Sequence, residues 1–291
     1  MNTIIITGSN GFIGSNLVDK LNKTHKLILI LRIKNNSKKT IYKFKKNISV
    51  KYFKNNRELK NILKKTRGSW LIHCATHYIK KHKFDDIGKV ISSNIEFGTI
   101  LLDNLNKMGV KNFVNFSTIW ENYNGIKDNA FNLYSASKQA FEKIINYYQS
   151  LNKTINFYSV VISDTYGEND KRKKLISILK RNIKDKKQTK IISKNLYINL
   201  LNVSDITLGI YILLKNKIKS GKYSMINKKT FKTKDLLQGL QKRSKYQIKV
   251  KWLSSKIIKE KIYNYKSLPG WKSINSNIND LIKFILEDYK V

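Results

Sequence analysis

The chain has 291 residues, 41% hydrophobic and 11% aromatic, enough for a substantial core and unlike a disordered protein. Its single cysteine, Cys74, excludes an intrachain disulfide and a cysteine-rich zinc site, and no apolar run approaches the ~18 residues of a membrane span. Lys and Arg number 58 against 19 Asp and Glu, a formal charge of +39, but the lysines run along the whole chain and read as solvated surface with weak, salt-sensitive affinity for polyanions. A cytoplasmic protein is expected, because a strand begins almost at once and no basic leader precedes it, and neither membrane association nor a specific nucleic-acid partner is expected.

Thr3-Ile4-Ile5-Ile6-Thr7 is an uncharged, β-branched run and is expected to form a buried strand. Gly8-Ser9-Asn10-Gly11-Phe12-Ile13-Gly14 follows, then an amphipathic helix to about Leu21. Strand, glycine turn and helix form the layout of a dinucleotide-phosphate site: glycines let backbone approach a pyrophosphate, and the helix N-terminus offers free N–H groups. Thr7, Gly8, Asn10, Gly11, Phe12, Ile13 and Gly14 are therefore candidate cofactor-binding residues. The spacing is GxxGxxG, which differs from GxGxxG. The pattern from Thr7 to Gly14 resembles the extended short-chain dehydrogenase/reductase family.

Lys26 to Arg32 is the second expected strand. An acid near its end would hold an adenosine ribose 2′-OH, whereas a base there accepts a 2′-phosphate. No Asp or Glu occurs from residue 20 through 57, and Arg32 and Lys34 stand at the strand's end, so NADP(H) is expected over NAD(H). Residues 48–53 and 70–74 read as further strands, with a helix over about 57–65 between them. His73 reads as a packed strand histidine, and no metal site is expected. Ile87 to Lys107 reads as one long helix stopped by Gly109.

Residues 110–118 form the next expected strand, ending in Ser117 and Thr118, where a parallel sheet presents its ligands. A helix opens near Leu133. Tyr134 and Lys138 lie i, i+4 on one face of it, and an ammonium beside a phenol favours the phenolate, suiting proton exchange with a carbonyl or alcohol. The same spacing recurs elsewhere, as at Tyr211 and Lys215. Only Tyr134 combines a helix start, small interior residues and a hydroxyl-ended strand just upstream.

With the glycine turn, Asn94, Ser117-Thr118 and Tyr134/Lys138 in this order, the resemblance to the extended short-chain dehydrogenase/reductase (NAD-dependent epimerase/dehydratase) family is broad. It implies an α/β fold, a Rossmann-type doubly wound parallel sheet with a smaller C-terminal substrate-binding lobe. The expected division is 1–163 for the NADP-binding domain and 164–291 mostly for the lobe, with strands that can return to the sheet. Carried over residue by residue, Tyr134 is the acid/base, Lys138 holds the ribose and tunes Tyr134, and Thr118 binds the reacting oxygen. Ala75 and Thr76 pass the cofactor, and Asn94 fixes the active-site backbone.

The second half agrees with the family pattern. A strand over 155–162 runs into Ser163-Asp164-Thr165-Tyr166-Gly167, where Asp164 stands for the family's asparagine and is a substrate-site candidate. A base-rich stretch over 171–190, read as a helix, offers Arg172 and Lys174 to a nucleotide diphosphate. Leu200 to Ile206 resembles the family's strand-to-helix step, with Ser204 or Asp205 as its cap. A last helix covers about 278–287.

The family's dehydratases carry an Asp-Glu pair after the catalytic threonine, and here Ile119-Trp120 stand there. The stretches Phe116–Tyr123, Asn132–Glu142, Asp164–Gly167 and Asp170–Ile176 look most like the CDP-abequose synthase branch. That likeness implies NADPH-dependent reduction of a nucleotide-linked 4-keto-deoxyhexose in deoxysugar or O-antigen biosynthesis. An NAD-dependent 4-epimerase is the alternative within the family. A nucleic-acid binder on the same fold is the alternative from another class, suggested by the charge. A homodimer stays open.

Overall fold

The structure, a computed structural model, describes residues 2–33, 46–245 and 247–287. The chain forms two compact units. The first holds residues 1–161, 216–224 and 263–266.

Its frame is a seven-stranded, mostly parallel sheet of Rossmann type. The strands are β1 (Thr3–Thr7), β2 (Lys26–Arg32), β3 (Ile48–Phe53), β4 (Trp70–His73), β5 (Asn112–Thr118), β6 (Asn156–Ile162) and β11 (Gly221–Met225), in the spatial order β11-β6-β5-β4-β1-β2-β3. Strand order reverses between β1 and β4, which makes the crevice beyond their C-terminal ends the place where such sheets bind ligands. The parallel register aligns Thr7 with His73 and His73 with Asn115, a polar row across the strand ends.

The helices cover the sheet because each has one apolar stripe. They are α1 (Phe12–Leu21), α2 (Asn56–Lys64), α3 (Phe84–Ile91), α4 (Phe97–Asp103) and α5 (Leu133–Leu151). Ile5, Leu63, Leu71, Leu101, Phe113 and Phe141 belong to the shared core. Each such side chain contributes roughly 1.5–3 kcal/mol by leaving water. Gly98 on α4 faces the Phe141 ring on α5 so closely that a methyl group would collide with it.

The second unit holds residues 162–215, 225–262 and 267–291. Short strand pairs carry it: β7 (Asp164–Tyr166) with β10 (Leu200–Asn202) in parallel, β8 (Thr189–Ile191) with β13 (Val250–Trp252) in parallel, and β9 (Tyr197–Ile198) with β12 (Phe231–Lys232) antiparallel. Helices α6 (Leu175–Lys184), α7 (Val203–Lys215), α8 (Thr233–Arg243) and α9 (Ile278–Leu286) complete it. Tyr166, Leu179, Leu236, Leu240, Leu281 and Ile285 belong to its own core.

The structure departs from the sequence expectations at several elements. The helix expected over 87–107 begins at Phe84, passes through a π-turn at Ser92–Glu96 and ends at Asp103. Asn94 sits in that turn and is bonded on three sides, which compensates for the broken α-helical pattern. The basic stretch 171–190 is helical only over Leu175–Lys184. The α7 start is capped by Asn202, whose Oδ1 accepts from the Ser204 backbone N–H and hydroxyl at 2.9 Å. Asp205 is instead fully buried, accepting from the backbone N–H groups of Ile274 (3.2 Å) and Asn275 (3.1 Å) and from the Ser276 hydroxyl at 2.5 Å. Lys34 lies outside the described residues. Among the described residues no helix is long and apolar enough to cross a membrane.

Candidate active site

The glycine turn leaves β1 at Gly8, whose φ of +69° is left-handed backbone that glycine adopts without strain. A Cβ on Gly8 would strike the Ala75 backbone beyond β4, and one on Gly14 would strike the Gly8 carbonyl. The backbones of β1, β4 and α1 thus converge where only glycine fits. Gly11 N–H bonds to the Gly8 carbonyl at 2.9 Å, and Gly11 is the N-cap of α1 with no side-chain cap. Asn10 and Gly11 are exposed and Phe12 and Ile13 half-buried along this turn. Such a cradle fits a pyrophosphate: close backbone, and first-turn N–H groups of α1 without a capping side chain.

Thr7 serves this turn from within. It is fully buried, and its hydroxyl pairs with His73 Nδ1 at 2.8 Å. His73 packs among the rings of Phe97, Phe113 and Phe141, and burial holds its pKa down to about 3, so the imidazole is neutral. It is the packed histidine expected from the sequence.

Asn94 ties the segment after β4 to α5. Its carbonyl oxygen accepts from the Thr76 hydroxyl at 3.0 Å and the His77 N–H at 2.6 Å, and its amide donates to Ser137 Oγ at 2.9 Å. Ala75 and Thr76 are thereby fixed beside Gly8. At the end of β2 the Arg32 guanidinium lies over Phe53 and Phe97, 5.5 and 5.7 Å from their centroids. The two rings thus hold a positive charge at the end of β2.

Thr118 ends β5 and is 8% exposed, with its Oγ1 accepting from Trp120 N–H at 3.3 Å. Its neighbour Ser117 turns away, donating to Glu121 Oε2 at 2.6 Å. Asn132 caps α5 by accepting from Ser135 N–H at 2.9 Å, which sets Tyr134 in the first turn. The Tyr134 ring meets Tyr78 edge-on, centroids 5.1 Å apart.

Lys138, one turn further, is 3% exposed, and its Nζ donates to Asn115 Oδ1 at 3.4 Å. Burial lowers its pKa to about 8 against the pull of Glu142 and Glu121. The neighbouring Cys74 thiol is pushed up to about 12 by burial and stays protonated. In the first unit Thr118 thus closes β5, and Tyr134 and Lys138 lie in the opening turns of α5, which Lys138 ties to Asn115 of β5.

In the second unit Asp164 accepts from Lys174 Nζ at 2.5 Å. Arg172 makes a two-pronged pair with Asp170 (2.7 and 2.8 Å) and donates to the Thr165 carbonyl at 2.8 Å. Both cations thus brace the loop that holds them. A cavity of about 430 Å³ beside this loop is lined by Lys171, Arg172, Lys180, Arg181 and Phe284 among others.

Sequence reasoning passed over Glu121, Tyr78 and Glu142 as neighbours of the candidate residues. Glu142 carried a signal, since it continues the i, i+4 spacing of Tyr134 and Lys138. The burial of Glu121 had none.

The model of the NAD dependent epimerase/dehydratase family matches residues 4–227. The chain belongs to that family. No sequence among the curated proteins matches it. Among solved structures it is similar to UDP-glucose 4-epimerase of Thermotoga maritima with UDP-glucose, at 16% identity, TM-score 0.79 and 99% coverage of both chains. It is also similar to UDP-N-acetylglucosamine 4-epimerase of Methanobrevibacter ruminantium M1 in complex with UDP-N-acetylmuramic acid, at 15% identity, TM-score 0.78, with 98% of this chain and 97% of that one covered. A third is the Bordetella bronchiseptica enzyme WbmG in complex with NAD, at 16% identity, TM-score 0.80 and 99% and 94% coverage. At these identities the likeness establishes the shared Rossmann fold.

Proposed function

We propose that the protein is an NADPH-dependent oxidoreductase that reduces a nucleotide-linked 4-keto-deoxyhexose, in the manner of the CDP-abequose synthase branch. What supports the hydride-transfer chemistry is that Thr118 closes β5 while Tyr134 and a buried Lys138 lie in the opening turns of α5, with Lys138 reaching Asn115 on β5, in the same unit as the glycine cradle. Gly8, Gly11 and Gly14 with the α1 N-terminus hold the pyrophosphate of the dinucleotide, with Asn10, Phe12 and Ile13 flanking it. Thr7 and Asn94 shape the walls, and Ala75 and Thr76 line the passage. When bound, the dinucleotide supplies a hydride to the C4 carbonyl carbon of the sugar and is oxidised in doing so.

The chain's residues handle the proton. The C4 carbonyl π electrons move to oxygen, and the Tyr134 hydroxyl gives that oxygen its proton. Thr118 Oγ1 hydrogen-bonds the same oxygen, and the Lys138 ammonium stabilises the tyrosinate left behind. Arg32, with no acid from residue 20 through 57, supports a 2′-phosphate and so NADPH. In the second unit Asp164, Arg172 and Lys174 are the candidates for the sugar nucleotide.

NAD-dependent 4-epimerisation is the second reading. The observation favouring it is that two of the similar structures are 4-epimerases and a third holds NAD. The deciding experiment is NADPH and NADH oxidation with CDP-, dTDP-, UDP- and GDP-linked 4-keto-deoxyhexoses, with Tyr134→Phe as control. Turnover with NADPH in one nucleotide series, reduced about 100-fold or more in the variant, supports reduction. Interconversion of 4-hydroxy epimers of an NDP-sugar without net oxidation replaces it with the epimerase.

A further inference from the structure

Behind Lys138 lies a group of charged side chains that the proton transfer above does not use. Glu142 follows Lys138 by four residues on α5, so the two side chains share one helix face. Its Oε2 is sealed from water and has no hydrogen-bond partner. Glu121, 1% exposed, accepts from Ser117 Oγ and Lys222 Nζ, both at 2.6 Å, and from the Tyr265 hydroxyl at 3.2 Å. Glu142, Glu121, Lys222 and Tyr265 all line one cavity of about 380 Å³ in the first unit.

Lys138 itself sits in a site that ill suits a charge. Its hydrogen bond to Asn115 Oδ1 is long at 3.4 Å. A buried ammonium with so little solvation loses its proton unless an opposite charge holds it. Several ionisable groups face it. The end of β4 contributes His73 and Cys74, both neutral. The turn after β5 contributes Glu121, and β11 contributes Lys222, which is already paired with Glu121. The 263–266 segment brings Tyr265, kept protonated by burial and by Glu121. Tyr134 and Glu142 come from α5 itself. Burial pushes the Glu142 carboxyl up, and Lys222, Ser159 and Lys138 pull it back toward ionisation.

We propose that Glu142 is a positioning residue that holds Lys138 in its ammonium form from the cavity side. The proposal rests on the reading of Lys138 as the lysine of the active site. Glu142 touches neither sugar nor dinucleotide and acts through Lys138 alone.

The test measures the proton affinity of Lys138 directly. Trace acetic anhydride labels amines only when deprotonated, and mass spectrometry of the peptide carrying Lys138 gives its midpoint between pH 6 and 11 without dinucleotide or sugar. The wild-type midpoint is expected near 8. Glu142→Gln should lower it by about one unit or more, and Glu142→Asp by less. An unchanged midpoint in folded Glu142→Gln overturns the proposal. If Glu142→Gln does not fold, Glu142→Asp decides, and an unchanged midpoint there overturns it equally.

NADH and NADPH binding across the same pH range, followed by nicotinamide fluorescence, separates this idea from the one it rests on. A binding midpoint that moves with the labelling midpoint supports both. A labelling midpoint that moves while dinucleotide binding does not supports the hold of Glu142 on Lys138 and removes Lys138 from the dinucleotide site.

Discussion

A single buried amine, Lys138, makes the stability of the fold depend on pH. Lys138 has a pKa of about 8 in the folded chain against an ordinary 10.5. Between those two values the unfolded chain binds more protons at this position than the folded one, so stability rises with pH through that window. Below pH 8 both states carry the charge and the cost of burying it, on the order of 3 kcal/mol, is fully present. Urea unfolding of wild type and Lys138→Met should therefore show the wild type gaining on the variant from pH 8 to 10.5, with no such gain between pH 6 and 7.5. The charge that costs stability is the one proposed to stabilise a tyrosinate. His73 has the opposite part: burial keeps it neutral, and it braces Thr7 behind the glycine turn.

Among the elements, regular pieces were legible in the sequence and irregular ones were not. β1, β2 and β3 lie at their expected residues: the apolar runs of β1 and β2 suit a sheet buried on both faces, and β3, which carries Lys51, is the half-buried edge strand. The start of α5 was equally plain. The π-turn at Ser92–Glu96 was invisible, because its cause is not local: Asn94 is held by Thr76, His77 and Ser137, brought near only by the fold. The expected α7 cap failed for a related reason. Asp205 has the residue type of a cap, but a segment some seventy positions later claims its carboxylate. Asp205→Ala would leave the Ile274 and Asn275 N–H groups and the Ser276 hydroxyl without their acceptor. The expected loss is about 3 kcal/mol of stability in the second unit, read as a lower urea midpoint. The candidate site was legible where chemistry fixes spacing, as at Tyr134 and Lys138, and hidden where burial decides the role, as at Glu121.

At the scale of the molecule, the net charge of +39 governs behaviour toward polyanions, and the path of the chain governs how the first unit is completed. That unit is not one continuous stretch: residues 216–224 and 263–266 return to it, bringing β11 to the sheet and Lys222 and Tyr265 to Glu121. A fragment of residues 1–163 would carry a buried carboxylate stripped of its lysine and an uncovered β6 edge, and is expected to aggregate. Light scattering of that fragment beside one of residues 1–266 would show the difference. On a translating ribosome the same arrangement imposes a wait. The parallel sheet is spelled out early, yet its last strand emerges only after nearly half of a second body has been laid down. The nascent protein must carry an open sheet edge through roughly ten further seconds of synthesis.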